Sequence, residues 1–192
     1  MQTLTTPRLT LRPWQPDDAD AVLDIYSRWD VMRYVGTTPR VLEHRDEALA
    51  RVAAWAEVDD GTHGVWAVVP REDGAGLPDG APVGTILLKS IPASGTGDPL
   101  QPSGDTEIGW HFHPAAWGRG YASEAASAVL AHAFVRGLDR VVAVTHPDNA
   151  ASQAVCRRIG MTPRGTTDAY YGVTCELFDV TAAEGARAAR PA

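Results

Sequence analysis

The period of the hydrophobic positions changes several times along the chain, and each change marks an element. Leu9 and Leu11 alternate with polar neighbours as a strand does, and Pro16-Asp17-Asp18 then opens a helix carrying Val22, Ile25 and Tyr26 on one face. A second helical pattern uses Ala48, Leu49, Val52, Trp55 and Ala56. Residues 64–69 and 83–91 read as strands joined through a Gly/Pro-rich turn region, which predicts a hairpin. Residues 92–104 hold three prolines and three glycines, so they predict a surface excursion rather than a domain linker. From Thr106 the order is strand, glycine-containing loop, helix, strand (140–146), helix (151–159) and two closing strands, the last near 175–180.

Strand, helix, strand in that order predicts a parallel pair joined by a right-handed crossover, while the flanking hairpins are antiparallel. The expected fold class is therefore α/β, a mixed sheet with a parallel βαβ core and helices on both faces. Residues 1–180 are expected to form a single domain, and 181–192 a C-terminal tail, frayed or briefly helical.

The stretch Ala115-Ala116-Trp117-Gly118-Arg119-Gly120-Tyr121-Ala122 sits where the alternating segment 107–112 meets a helical one. That helix carries Ala122, Ala125, Ala126, Val129, Leu130, Ala133 and Phe134 on one face. Two glycines allow a tight turn and close approach of a ligand, and the helix that follows points unpaired N–H groups at any anion there. The loop therefore has the form of a phosphate cradle. After Pro147-Asp148, Asn149-Ala150-Ala151-Ser152 opens a second short helix with Val155 and Ile159 on one face and Gly160 as its stop.

These motifs together resemble the GNAT superfamily of N-acetyltransferases, which bind acetyl-coenzyme A. Gly118-x-Gly120-x-Ala122 is similar to the pyrophosphate loop, and Asn149-x-x-Ser152 through Arg158-Ile159-Gly160-Met161 to the later cofactor-side helix. Thr6-Pro7-Arg8-Leu9-Thr10-Leu11-Arg12-Pro13-Trp14, Asp17-Asp18-Ala19 and Asp30-Val31-Met32-Arg33-Tyr34 resemble the branch containing the Rim-type ribosomal-protein N-terminal acetyltransferases. The superfamily often has Gln or Arg where this chain has Ala115, so one side-chain contact to the pyrophosphate is missing here. The resemblance implies a central, mostly antiparallel sheet of about six or seven strands around the parallel crossover. It also implies acetyl-CoA as cosubstrate, a direct transfer to an amine, and a homodimer.

Composition narrows the partners. With 192 residues and 44% hydrophobic content, the chain suffices for one packed domain. A net charge of -7 and a pI near 5.3 argue against a nucleic-acid footprint or attraction to an anionic membrane. No apolar run approaches the roughly 18 residues of a spanning helix. The only cysteines, Cys156 and Cys175, lack Cys-x-x-Cys spacing, and no charged-then-apolar leader precedes Pro7. A cytoplasmic location is expected, with a small-molecule or peptide N-terminal amine as substrate.

Acyl transfer to an amine needs a positioned thioester, a base, stabilisation of the developing oxyanion and a proton for the leaving thiolate. The resemblance assigns the backbone of Trp110, His111, Phe112 and His113 to the acetyl-pantetheine arm. It assigns Trp117, Gly118, Arg119, Gly120, Tyr121 and Ala122 to the phosphates, and Asn149 and Ser152 to the arm and its sulfur. Glu107 is the first candidate for general base and His111 its rival. Period-two alternation places Glu107, Gly109, His111 and His113 on one face. An ion pair or solvated carboxylate is the plain alternative for Glu107, and helix capping for Asn149 and Ser152. Tyr170 and Tyr171 are alternative proton donors. Trp14, Trp29, Trp55 and Trp66 are expected in the core or the cleft wall. His111 and His113 make an i, i+2 pair, but no third ligand stands at metal-site spacing and there is no His-Glu-x-x-His, so no metal is expected. The segments 27–44 and 166–174 are expected to bracket the acceptor. A dinucleotide-binding oxidoreductase lacks its third glycine and its acidic residue about 20 positions on, and Gly-Lys-Ser/Thr is absent. A non-catalytic acyl-CoA sensor that keeps the cradle is the remaining alternative.

Overall fold

A computed structural model describes residues 1–72, 76–97 and 99–188. Its centre is an eight-stranded sheet: β1 (Leu4–Thr5), β2 (Leu9–Pro13), β3 (Gly64–Pro70), β4 (Gly84–Pro92), β5 (Pro102–Phe112), β6 (Arg140–Thr145), β7 (Thr162–Thr167) and β8 (Cys175–Thr181). The strand order is β1-β2-β3-β4-β5-β6-β8-β7, and every neighbouring pair is antiparallel except β5 and β6. The mixed α/β fold expected from the pattern is the one observed, with Leu4–Thr5 adding a two-residue edge strand.

Burial explains why these segments are strands. All seven residues of β3 are buried, as a central strand covered on both faces requires. One face packs Leu9, Leu11, Trp66, Val68, Ile86, Leu88 and Ile108 against α4 (Tyr121–Val135). Ala125, Ala126 and Ala133 of α4 are fully buried, so the helix backbone lies close to the sheet. The opposite face packs Val65 and Ala67 against α1 (Ala19–Tyr26) and α3 (Arg45–Ala56) through Val22, Ile25, Ala48 and Val52. Arg12 at the end of β2 makes two hydrogen bonds to Asp18, at 2.6 and 2.8 Å, and pins the single 3-10 turn that leads into α1.

Three details depart from the sequence expectation. A four-residue helix α2 (Trp29–Met32) follows α1, and its Trp29 is 57% exposed rather than in the core or the cleft wall. Trp14 and Trp66 are buried, and Trp55 stacks on Trp14 at 5.2 Å. The excursion 92–104 is shorter than expected, because β5 already begins at Pro102. Its first residues are anchored: Ala93 bridges Tyr170, and Ser94 donates its hydroxyl to the Asp168 carbonyl at 2.6 Å while accepting from the Gly172 N–H at 2.9 Å. After α5 (Ala150–Arg158), the two closing strands end in α6 (Ala182–Ala188), whose start is capped by Thr181 and Glu184. Residues 189–192 of the expected tail lie outside the described residues.

Candidate active site

The parallel pairing of β5 with β6 is limited to one register position, Glu107 opposite Val142. Beyond it, Gly109–Phe112 and Ala143–Thr145 become two walls of a cleft of about 1180 Å³. The crossover between these strands is α4, so the turn before α4 opens at the same end of the sheet. Gly118, Gly120, Tyr121, Ala122 and Ser123 line the cleft, as do Asn149, Ser152 and Arg158 from α5.

The backbone of the turn is left-handed at both glycines, with φ of +73° at Gly118 and +79° at Gly120. Gly120 is the N-cap of α4 and brings no side chain to it, and the start of that helix, Tyr121 to Ser123, lies on the cleft. Trp117 is half exposed and donates its indole N–H to the Phe112 carbonyl at 2.8 Å, tying the loop to the end of β5. Ala116 beneath it is buried. On the facing wall, Thr145 is only 7% exposed, and its hydroxyl has no hydrogen-bond partner among the described residues.

Glu107 lies at the floor, where the strands part, and is 6% exposed. The Tyr171 hydroxyl donates to its Oε1, and Lys89, opposite it in the β4–β5 register, stands 3.2 Å from the same oxygen. Burial, and then the Glu107 charge, push the Tyr171 phenol well above the usual tyrosine range, so it is a standing donor. Tyr171 is the one described non-glycine residue with positive φ, +58°. With Gly172 at +68° it forms a two-residue turn closed by the Val173 N–H on the Tyr170 carbonyl. The strain is held from outside by the Ser94 contacts and aims the phenol at Glu107.

His111 shares the face of Glu107, as the alternation predicts. The Tyr26 hydroxyl donates to Thr85 at 2.8 Å and lies 3.0 Å from His111 Nδ1. Burial, then the positive charges of Arg51 and Lys89, lower the His111 pKa to about 4, so the ring is neutral at pH 7. This has a stability consequence. The unfolded chain takes up a proton at His111 near its ordinary pKa of 6.5, whereas the folded one does so only near 4. Stability from this group is therefore complete above pH 6.5 and falls as the pH drops towards 4. The expected loss is about 2 kcal/mol after allowance for partial solvent exposure. Thermal unfolding across this window should slope less in His111→Gln than in the wild type.

The remaining expected residues are placed differently from one another. Trp110 and Phe112 line the cleft, but His113 does not: its side chain accepts from the Ala115 N–H and faces Asp24 at 3.3 Å. β5 ends at Phe112, so the alternation that places a side chain over the cleft stops one residue earlier. Arg119 turns back along its loop, its Nε 3.3 Å from the Ala115 carbonyl, and is not part of the cleft wall. Asn149 caps α5 by accepting from the Ser152 N–H at 3.1 Å, so the Ser152 hydroxyl is not used in that cap. Tyr170 donates to Asp105 at 2.6 Å and lies outside the cleft wall. Residues from both expected acceptor segments face the cleft, including Arg33, Tyr34 and Pro39 on one side and Tyr171, Val173 and Thr174 on the other. Lys89, Thr145 and Tyr26 were not legible as site residues; strand alternation alone identifies the face of Lys89, but nothing in the sequence identifies its neighbour.

Comparison with known proteins agrees with this geometry. The pattern that defines the acetyltransferase (GNAT) domain matches residues 8–162. The uncharacterized N-acetyltransferase YoaA of Bacillus subtilis is 29% identical over 168 residues, 87% of this chain and 86% of that one. A GNAT-family acetyltransferase from Bacillus anthracis superposes with a TM-score of 0.73 at 24% identity, covering 95% of this chain and all (100%) of the other. The ribosomal-protein acetyltransferase RimL, solved in complex with coenzyme A, shares the fold with a TM-score of 0.72 at 17% identity, over 94% of this chain and 98% of its own.

Proposed function

The chain belongs to the GNAT acetyltransferase family, and from that premise we propose that it moves acetyl from acetyl-CoA directly to a primary amine. The acceptor class is a small-molecule amine or a peptide N-terminus, and no covalent enzyme intermediate forms. The observation that carries this reading is that one cleft joins the glycine turn and N-terminus of α4 to the buried Glu107 carboxylate, along the line where β5 and β6 separate.

The residues present fit the coenzyme. The turn at Gly118 and Gly120 and the first N–H groups of α4 receive the diphosphate. Ala143, Val144 and Thr145 wall the pantetheine arm on one side, and the backbone of Trp110, His111 and Phe112 lies along the other. When bound, acetyl-CoA supplies the thioester carbonyl that the amine attacks. A primary amine arrives as an ammonium ion at pH 7 and must lose a proton first. Glu107 takes that proton at Oε2, because both of its contacts fall on Oε1. Lys89 and Tyr171 hold the carboxylate at one oxygen while the other faces the acceptor. Ser152, at the start of α5, gives a proton to the departing sulfur and is reprotonated from solvent. The C–N bond forms as the C–S bond breaks, the nitrogen gives up its second proton to solvent, and no redox partner is needed. The two cysteines are free and buried, in keeping with a reducing, cytoplasmic setting. Among the described residues no helix is long and apolar enough to cross a membrane.

Thiol release from acetyl-CoA, followed across a panel of amino acids, polyamines and peptide N-termini, tests the proposal. Amine-dependent release is expected. Thermal stabilisation by acetyl-CoA with no release for any amine would instead make the protein an acyl-CoA sensor.

A further inference from the structure

The segment Thr6-Pro7-Arg8 lies between β1 and β2, far in sequence from the glycine turn, yet it is bonded to it. The Thr6 hydroxyl donates to Glu124 Oε1 at 2.6 Å, and the Arg8 backbone N–H donates to the same oxygen at 3.0 Å. Arg8 Nε and Nη2 both stand 2.6 Å from Glu124 Oε2. The third nitrogen of the guanidinium, Nη1, donates to the Arg119 carbonyl at 2.9 Å, inside the turn itself. The guanidinium lies over the Tyr121 ring at 5.1 Å, and a Cβ built on Gly120 would be 3.4 Å from Nη2. Arg8 therefore touches the turn and the start of α4 through Arg119, Tyr121 and Glu124.

Glu124 is the fourth residue of α4, within its first turn. A carboxylate there is the internal competitor of any anion at this helix end: it adds a negative charge beside the site and can fold back onto the same N–H groups. Burial works against its ionisation, but hydrogen bonds from Thr6 and Arg8 hold it below the usual carboxylate range. Four contacts fix both of its oxygens on the side of the β1–β2 turn.

We infer that Arg8 is a positioning residue for the coenzyme: it neutralises Glu124, draws that carboxylate away from the N-terminus of α4, and fixes the turn through the Arg119 carbonyl. This rests on the reading that the turn grips the diphosphate of acetyl-CoA. The role is electrostatic as well as structural, and the two are separable, because removing the Glu124 charge relieves the first and not the second.

Calorimetric titration with coenzyme A, alongside turnover of acetyl-pantetheine, which lacks the diphosphate, provides the test. Arg8→Ala should weaken coenzyme A binding about tenfold or more, the worth of a charge-assisted contact. Its KM for acetyl-pantetheine should be unchanged. The double variant Arg8→Ala with Glu124→Gln should regain most of the lost affinity. Should Arg8→Ala unfold, Arg8→Gln, which keeps the aliphatic stem and a polar end without the charge, is measured in its place, again with and without Glu124→Gln. Wild-type affinity in the single variant would overturn the inference. So would a loss that the double variant does not relieve and that acetyl-pantetheine shares, since that is the mark of simple misfolding. A wild-type protein that does not bind coenzyme A would overturn the phosphate-site reading itself, and the two failures are told apart by the wild-type titration alone.

Discussion

Glu107→Gln is expected to lower kcat by about 10²- to 10³-fold at neutral pH, within the range general-base catalysis supplies, while leaving the affinity for acetyl-CoA within about twofold of wild type. Glutamine has the shape of glutamate and still accepts the Tyr171 hydroxyl through its amide oxygen, so the floor of the cleft keeps its form. What it lacks is a basic oxygen for the ammonium proton. The Lys89 contact also loses its opposite charge, but Lys89 is about one-third exposed, so the cost to stability is small. Steady-state rates and a calorimetric Kd on the same preparation separate the two effects. An undiminished rate would remove Glu107 from the chemistry and leave His111, neutral at pH 7, or solvent as the base.

Gly120→Val is expected to raise the acetyl-CoA Kd by about 100-fold or more, for two reasons that add. A β-branched residue at φ +79° is strained wherever it points, by about 1–2 kcal/mol. Its Cβ alone would sit at ordinary contact distance, 3.4 Å, from the Arg8 guanidinium, so the crowding comes from the two branched methyl groups beyond it. The side chain then occupies the face of the helix terminus that the diphosphate needs. Gly118→Ala is the graded control, because nothing lies within 4 Å of its Cβ and only the backbone at φ +73° resists. It should weaken binding by much less than Gly120→Val. Unchanged affinity in Gly120→Val would show that the phosphates lie elsewhere.

The sequence was most informative where local pattern and function coincide. The apolar stripe of α4, the glycine pair before it and the Asn149 cap of α5 are all set by residues within a few positions of one another, and period and capping chemistry reveal them. The alternation of β5 correctly put Glu107 and His111 on one face, but strand identity could not say that the strand stops at Phe112 and sends His113 to Asp24. Trp29 shows a second limit: a large apolar side chain was expected inside, yet a four-residue helix leaves it mostly in solvent. The parts that stayed hidden depend on long-range contacts. Tyr171 meets Glu107 across 64 residues, Arg8 meets Glu124 across 116, and Ser94 holds a turn 78 residues away. Tyr171 also breaks the rule that glycine or asparagine occupies left-handed backbone, so no turn signature marked it.

The one-position pairing of β5 and β6 also bears on how such a protein diversifies. On the proposed reading the coenzyme wall is drawn mostly from β5, α4, β6 and α5, whereas the facing rim of the cleft comes from residues within 30–39 and 171–175. On that reading, substitutions in 30–39 retune acceptor choice without touching the donor half, whereas changes near Tyr171 also shift the Glu107 carboxylate.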